Sequence, residues 1–89
     1  MNKDLKKLKF RCWHRGMKEM DFLMGEFFNN YHKKFTEKDI FQLNNYLITL
    51  SDNDLYDCFT DEKPWPADLS KKLVNMLNIY ANKRGLKNS

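Results

Sequence analysis

Residues 10–21 read Phe10-Arg11-Cys12-Trp13-His14-Arg15-Gly16-Met17-Lys18-Glu19-Met20-Asp21. Cations at Arg11, His14 and Arg15 precede a glycine, and the carboxylates of Glu19 and Asp21 follow it closely. That order marks one helix stopping and another starting. Glycine enters the left-handed conformation that ends a helix more easily than any other residue. Basic side chains suit the negative C-terminal end of the first helix dipole, and acidic ones the positive N-terminal end of the next. The plain reading is a well-made helix corner, and the rest of the chain extends from it as helices.

Upstream, Asn2 to Arg15 carries Leu5, Leu8 and Cys12 on one face, with lysines over much of the remainder. Phe10 and Trp13 lie off that stripe, so each either packs against its own domain or helps form an exposed patch, with burial the commoner fate of a tryptophan. Downstream, Met17, Met20, Met24, Phe27, Phe28, Tyr31 and Phe35 recur at helical spacing and predict a central helix from Met17 to about Phe35. Asp21 and Gly25 sit beside this stripe. The carboxylate of Asp21 calls for a partner, expected among Arg11, His14 and Arg15, and Gly25 allows close approach of a backbone. Glu19 projects away from the stripe and is the acid more available to another protein.

Thr36-Glu37-Lys38-Asp39 resembles a capping box and predicts a third helix through Leu50, with Ile40, Leu43, Leu47 and Leu50 inward and Phe41, Tyr46 and Ile48 widening the stripe. Ser51-Asp52-Asn53-Asp54 opens a fourth helix with Leu55, Tyr56, Cys58 and Phe59, and its acidic first turn reads as helix-end electrostatics. Lys63-Pro64-Trp65-Pro66 breaks the chain, with Trp65 expected as a lid on the core. Asp68 is expected to cap a last helix with Leu69, Leu73, Met76, Leu77 and Tyr80 inward, closing at Gly85. The fold class that follows is all-α, a compact bundle of about five helices. Residues 1–85 form one domain and residues 86–89 a frayed tail.

Eighty-nine residues support a single modest core. No stretch approaches the length of an apolar membrane span, and the opening residues lack the apolar region of a signal peptide. Cytoplasmic localisation without membrane insertion is expected, with Cys12 and Cys58 reduced. The net charge of +4 is unevenly placed. Lys3, Lys6, Lys7, Lys9, Arg11, Arg15 and Lys18 crowd the start, and Asp52, Asp54, Asp57, Asp61, Glu62 and Asp68 a later segment. An acidic patch of that weight argues against a general polyanion binder, so nucleic acid is not an expected partner.

Catalytic and metal chemistry find little footing. Cys12, His14, His32 and Cys58 are ligand types without a paired-ligand zinc spacing, and Cys12 and His14 point to different helix faces. Three widely separated glycines make no phosphate cradle, so no metal, no catalytic residue and no tightly bound cofactor is expected.

The wording of the corner is more specific than a helix stop requires. Arg-Gly-Met-Lys-Glu-Met-Asp after Trp-His closely resembles the Arg-Gly-x-x-Glu-x-Asp signature of the SdhE/YgfY family, the FAD assembly factors of succinate dehydrogenase. The match is complete at Arg15, Gly16, Glu19 and Asp21, and the resemblance runs from about Leu8 to the last helix. Many members carry a second arginine where this chain has His14, a side chain that titrates near neutral pH. The resemblance implies a non-enzymatic assembly factor that binds the flavoprotein subunit of succinate dehydrogenase, or of fumarate reductase, and promotes covalent attachment of the FAD held by that partner. Arg15 would contribute charge-assisted hydrogen bonds, Gly16 close backbone approach and Glu19 a polar contact. Arg11, Trp13, His14, Met17 and Asp21 complete the candidate partner-binding set. A monomer is expected in the free state. The alternative is a small basic helical adaptor for nucleic acid or a regulatory partner, antitoxin-like in role.

Overall fold

Side-chain caps fix where the helices begin. The computed structural model describes residues 2–87 and places α1 at Lys3–Trp13, α2 at Lys18–Tyr31, α3 at Glu37–Gln42, α4 at Asp52–Phe59 and α5 at Lys71–Lys83. Asn2 caps α1 by accepting from the Leu5 N–H at 2.7 Å. Thr36 and Asp39 form the reciprocal capping box of α3, and Ser51 accepts from the Asp54 N–H at 3.1 Å to cap α4. The expected cap of α5 is corrected. Ser70, not Asp68, accepts the Leu73 N–H at 3.3 Å. Asp68 sits in a turn closed by the Leu69 N–H on Pro66 O at 3.1 Å, which carries Leu69 into the core before the helix starts.

Two helices end earlier than the apolar pattern predicts. α2 stops at Tyr31, and the 3-10 turn His32–Lys34 turns the chain so that Phe35 folds back on Phe27 and Phe28 at 6.1 and 6.3 Å between ring centroids. α3 changes after Gln42 into a π-helical turn, Leu43–Leu47, closed by the Ile48 N–H on Leu43 O at 2.9 Å. Polar side chains compete for the main chain here. The Asn45 amide donates to Phe41 O at 2.7 Å and the Thr49 hydroxyl to Asn45 O at 3.2 Å, both contacts that loosen a regular helical ladder.

One core joins all five helices, with Leu8 and Cys12 from α1, Met20, Met24, Phe27 and Phe28 from α2, Ile40 from α3, Leu55 and Phe59 from α4, and Leu73, Leu77 and Tyr80 from α5 buried together. Met17 and Phe41, expected inside, are 47% and 56% exposed. Met17 is the extended residue before α2 and lies out of the helical register, and Phe41 packs edge-on against Tyr46 at the surface. Trp65 acts as a lid, edge-on to Phe59 at 5.1 Å with its indole N–H donated to Asn78 Oδ1 at 2.8 Å. The stretch expected as a tail begins against the core. Gly85 has φ +69°, the Leu86 N–H bonds Ala81 O at 3.0 Å, and Leu86 packs on the core. Lys87 pairs with Asp61, while Asn88 and Ser89 lie outside the described residues.

α1 and α2 cross where Trp13 lies on Gly25. A Cβ at Gly25 would stand 2.3 Å from the indole ring, so the close approach that the glycine permits is to a ring, not to a backbone. Gly25→Ala is expected to lower stability by about 2 kcal/mol through overpacking. Gly85→Ala, which meets no atom within 4 Å, costs only about 1 kcal/mol for its backbone conformation. Urea unfolding of the two variants measures the difference. A second prediction concerns acid. Burial pushes the Asp39 carboxyl up, but the Lys72 ammonium at 2.6 Å and the Thr36 hydrogen bonds outweigh it and hold the carboxyl below its usual range. A carboxyl lowered by folding stabilises the protein above its unfolded pKa, and that stability is lost as pH falls through the folded value. Asp39→Asn is therefore expected to cost stability at pH 7 and to flatten the fall in acid, checked by melts between pH 2 and pH 7.

Candidate functional site

The corner between α1 and α2 is held from inside. α1 ends at Trp13, His14 leaves helical geometry, and Gly16 takes φ +108°, a conformation that a side chain makes costly. Asp21, in the first turns of α2, reaches back so that one carboxylate oxygen accepts from the main-chain N–H groups of both Arg15 and Gly16, the latter at 3.2 Å. Asp21 thus holds the corner together, but through two backbone donors and not through the side chain of Arg11, His14 or Arg15. Two consecutive N–H groups aimed at one point form an anion nest. Here the protein's own carboxylate fills it.

Arg15 points inward. Its Nε donates to Asp52 at 2.9 Å, and its two terminal nitrogens donate to the carbonyls of Ile48 and Leu50. The side chain is 7% exposed and that of Asp52 is 15% exposed. Those carbonyls belong to the end of the α3 helical run, where the last acceptors lack partners in the helix itself, and a guanidinium answers both their hydrogen-bonding need and the negative dipole end. The same group pairs with the first residue of α4. Arg15 therefore ties the α1–α2 corner to the α3–α4 junction, and its guanidinium is spent on the fold. The donors expected to serve a partner are engaged within the chain itself. The acidic first turn of α4 lies at the helix end as expected and does more there, since Asp52 is half of this ion pair, while Asp54 pairs with the exposed Lys63 at 2.6 Å.

The remaining candidate residues divide among three surface hollows. Met17 and Glu19 are exposed and border a hollow of about 500 Å³ with Met20, Tyr56 and Asp57. Tyr56 and Asp57 were not in the candidate partner-binding set; the sequence had placed Tyr56 with the apolar residues of the fourth helix and Asp57 in the acidic segment. Arg11 and His14 border a second hollow, of about 560 Å³, against residues 48–52. Phe10, 63% exposed, stacks on His14 at 4.1 Å, and the His14 Nδ1 donates to Phe10 O at 2.8 Å. The half-buried Trp13 closes Gly25 with one face and borders a third, apolar hollow with Lys6, Lys9 and Phe10. Gly16 is exposed at the centre of the turn.

The thiols face away from this chemistry. Burial pushes Cys12 up to about 12, against a smaller pull from the Arg15 charge, so it stays a thiol and a weak nucleophile. Cys58 is also pushed up, by burial and then by Asp54 and Asp57. Among the described residues no three His, Cys, Asp or Glu side chains gather as a metal site, and no helix is long and apolar enough to cross a membrane.

Fold and corner together define the class, a small all-α module whose distinctive part is an exposed helix turn braced from within. Comparison with known families makes this specific. The chain belongs to the family described as flavinator of succinate dehydrogenase (Sdh5), whose model matches residues 6–81 and so spans the whole corner. It is a family of assembly factors. Comparisons with curated proteins and with solved structures each returned no match.

The geometry sets expectations for stability. Arg15→Ala leaves the Asp52 carboxylate and two carbonyls without their donor and is expected to cost about 3 kcal/mol. Asp21→Ala loses two main-chain hydrogen bonds to a charged acceptor and is expected to cost about 2 kcal/mol. Glu19→Ala, at an exposed position, is expected to change stability by less than about 0.5 kcal/mol. Denaturant unfolding of the three variants provides the check, and an Arg15→Ala protein as stable as wild type would contradict the buried role given to Arg15.

Proposed function

We propose that this protein docks through its Gly16 corner on the flavoprotein subunit of succinate dehydrogenase, or of the related fumarate reductase, and promotes covalent attachment of FAD to a histidine of that subunit in the cytoplasm. The observation that carries the reading is the division of labour at the corner. Arg15 and Asp21 are consumed internally and fix the main chain, while Glu19, Met17 and Gly16 are left exposed on it. A rigid backbone with an unspent carboxylate, an exposed thioether and a glycine suits a docking surface, because little freedom is lost on binding. The monomer docks as it is, without a second copy.

FAD stays with the partner in this reading. The pair of main-chain donors at Arg15 and Gly16 is filled by Asp21, and the Gly25 backbone is covered by Trp13. The factor contributes no reacting group. It binds and steadies a flavoprotein conformation in which isoalloxazine and acceptor histidine lie in register, and alignment of that kind removes much of a barrier. The test is in-gel flavin fluorescence of the denatured flavoprotein, since denaturation strips FAD that is not covalently bound. Deletion of the gene is expected to abolish the signal and wild type to restore it. Glu19→Ala is expected to restore about a tenth or less, in line with loss of one charged hydrogen bond, although the variant folds. Gly16→Arg is expected to fail through both its backbone strain and its bulk. Full signal in the deletion strain contradicts the proposal.

A further inference from the structure

Arg11 is a half-buried cation without a carboxylate partner among the described residues. Three Lys or Arg residues of the chain are withdrawn from full exposure: Arg11, Arg15 and Lys87. Arg15 is paired with Asp52 and Lys87 with Asp61. Among the described residues no carboxylate pairs with Arg11, whose recorded bond is a long one, 3.4 Å from Nη1 to the Asn44 carbonyl. A half-buried guanidinium has lost part of its hydration, and one long neutral contact replaces little of it. The residue borders two hollows, one of about 560 Å³ between the end of α1 and residues 48–52, and one of about 280 Å³ beside Asn44, where Asp4 and Glu37 also lie without forming an ion pair with it. The stacked Phe10–His14 pair forms part of the lining of the larger one. The charges inside the larger hollow do not cancel. Asp52 is neutralised by Arg15, and both loop carbonyls nearest to Arg15 are occupied by it, which leaves the Arg11 charge in excess.

Resting on the flavoprotein-docking reading above, we propose that this hollow receives a carboxylate side chain of the flavoprotein subunit, which pairs with Arg11 while its aliphatic stem lies against the Phe10–His14 stack. Arg11 lies outside the Arg-Gly-x-x-Glu-x-Asp pattern and adds a second point of attachment beside Glu19. Two contacts of opposite sign, a partner cation on Glu19 and a partner anion on Arg11, fix the orientation of docking, which a single charge does not. The planar fork of Arg11 allows two parallel hydrogen bonds to one carboxylate, so the site selects an acid by shape as well as by charge.

The experiment is a kinetic binding measurement between the purified chain and the purified flavoprotein subunit at low and at physiological salt, with thermal melts of each variant. Arg11→Gln is expected to raise the dissociation rate about tenfold at both salt concentrations, the loss of a charged hydrogen bond, with an unchanged melt. Arg11→Lys is expected to recover part of the affinity, since it keeps the charge and loses the fork. Lys3→Gln, an exposed control on the same helix, is expected to slow association slightly and at low salt only. Dissociation of Arg11→Gln at the wild-type rate, or a loss no larger than that of Lys3→Gln, overturns the proposal. A melt lowered by several degrees also overturns it, because it makes Arg11 a support of the fold. If Arg11→Gln binds as wild type while Glu19→Ala does not, the hollow is excluded and the docking function stands. If the wild-type chain fails to bind the flavoprotein, both fall.

Discussion

The buried guanidinium of Arg15 holds the architecture of the corner. A charge at that depth is costly unless it is paired and its donors are used, and here a carboxylate and two helix-end carbonyls use them. The acceptors come from the end of the α3 run and the start of α4, so one side chain fixes two junctions, α1–α2 and α3–α4, relative to each other. A π-helical turn just before Ile48 sets where those carbonyls emerge. Asp21 completes the arrangement from the other side by gripping the main chain of Arg15 and Gly16. With its polar groups satisfied internally, the corner is stiff without help from a partner.

That stiffness gives the exposed residues their meaning. Helix corners that only reverse the chain do not need a buried ion pair beneath them. In a family of flavinylation factors, a preformed turn presenting Glu19 and Met17 is suited to impose geometry on something less rigid than itself. On the proposed docking, the partner is the element that changes and the factor acts as a template. The acidic and basic halves of the chain fit the same picture. Much of the acidic first turn of α4 is neutralised by Arg15 and Lys63, whereas the lysines on α1 are exposed.

Local signals in the sequence were sufficient for most of the fold. The corner, the capping box at Thr36, the Ser51 cap and the Gly85 stop each depend on residues a few positions apart, and each is where those residues put it. What escaped was non-local or competitive. The acceptors of Arg15 lie 33 to 37 residues away, and a lone arginine beside a glycine carries no sign of whether it faces inward or outward. Periodicity predicted one helix through Leu50, because apolar spacing does not register the competition by Asn45 and Thr49 for carbonyls that ends the regular ladder. Asp68 lost the cap to Ser70 because the placement of Leu69 in the core decided where α5 begins. At the candidate site, Glu19 and Gly16 were legible as exposed corner residues, while Tyr56 and Asp57 share the Met17 and Glu19 hollow only because α4 packs there.

Amide hydrogen exchange of the chain, free and bound to the flavoprotein subunit, tests the central claim most directly. The first N–H groups of α2, at Lys18, Glu19 and Met20, have no acceptors within their own helix and are expected to exchange readily in the free protein. The account predicts that binding protects Gly16 to Met20 and the facing start of α4, with α5 unchanged. Protection concentrated on α5, with the corner exchanging as fast as before, would contradict it.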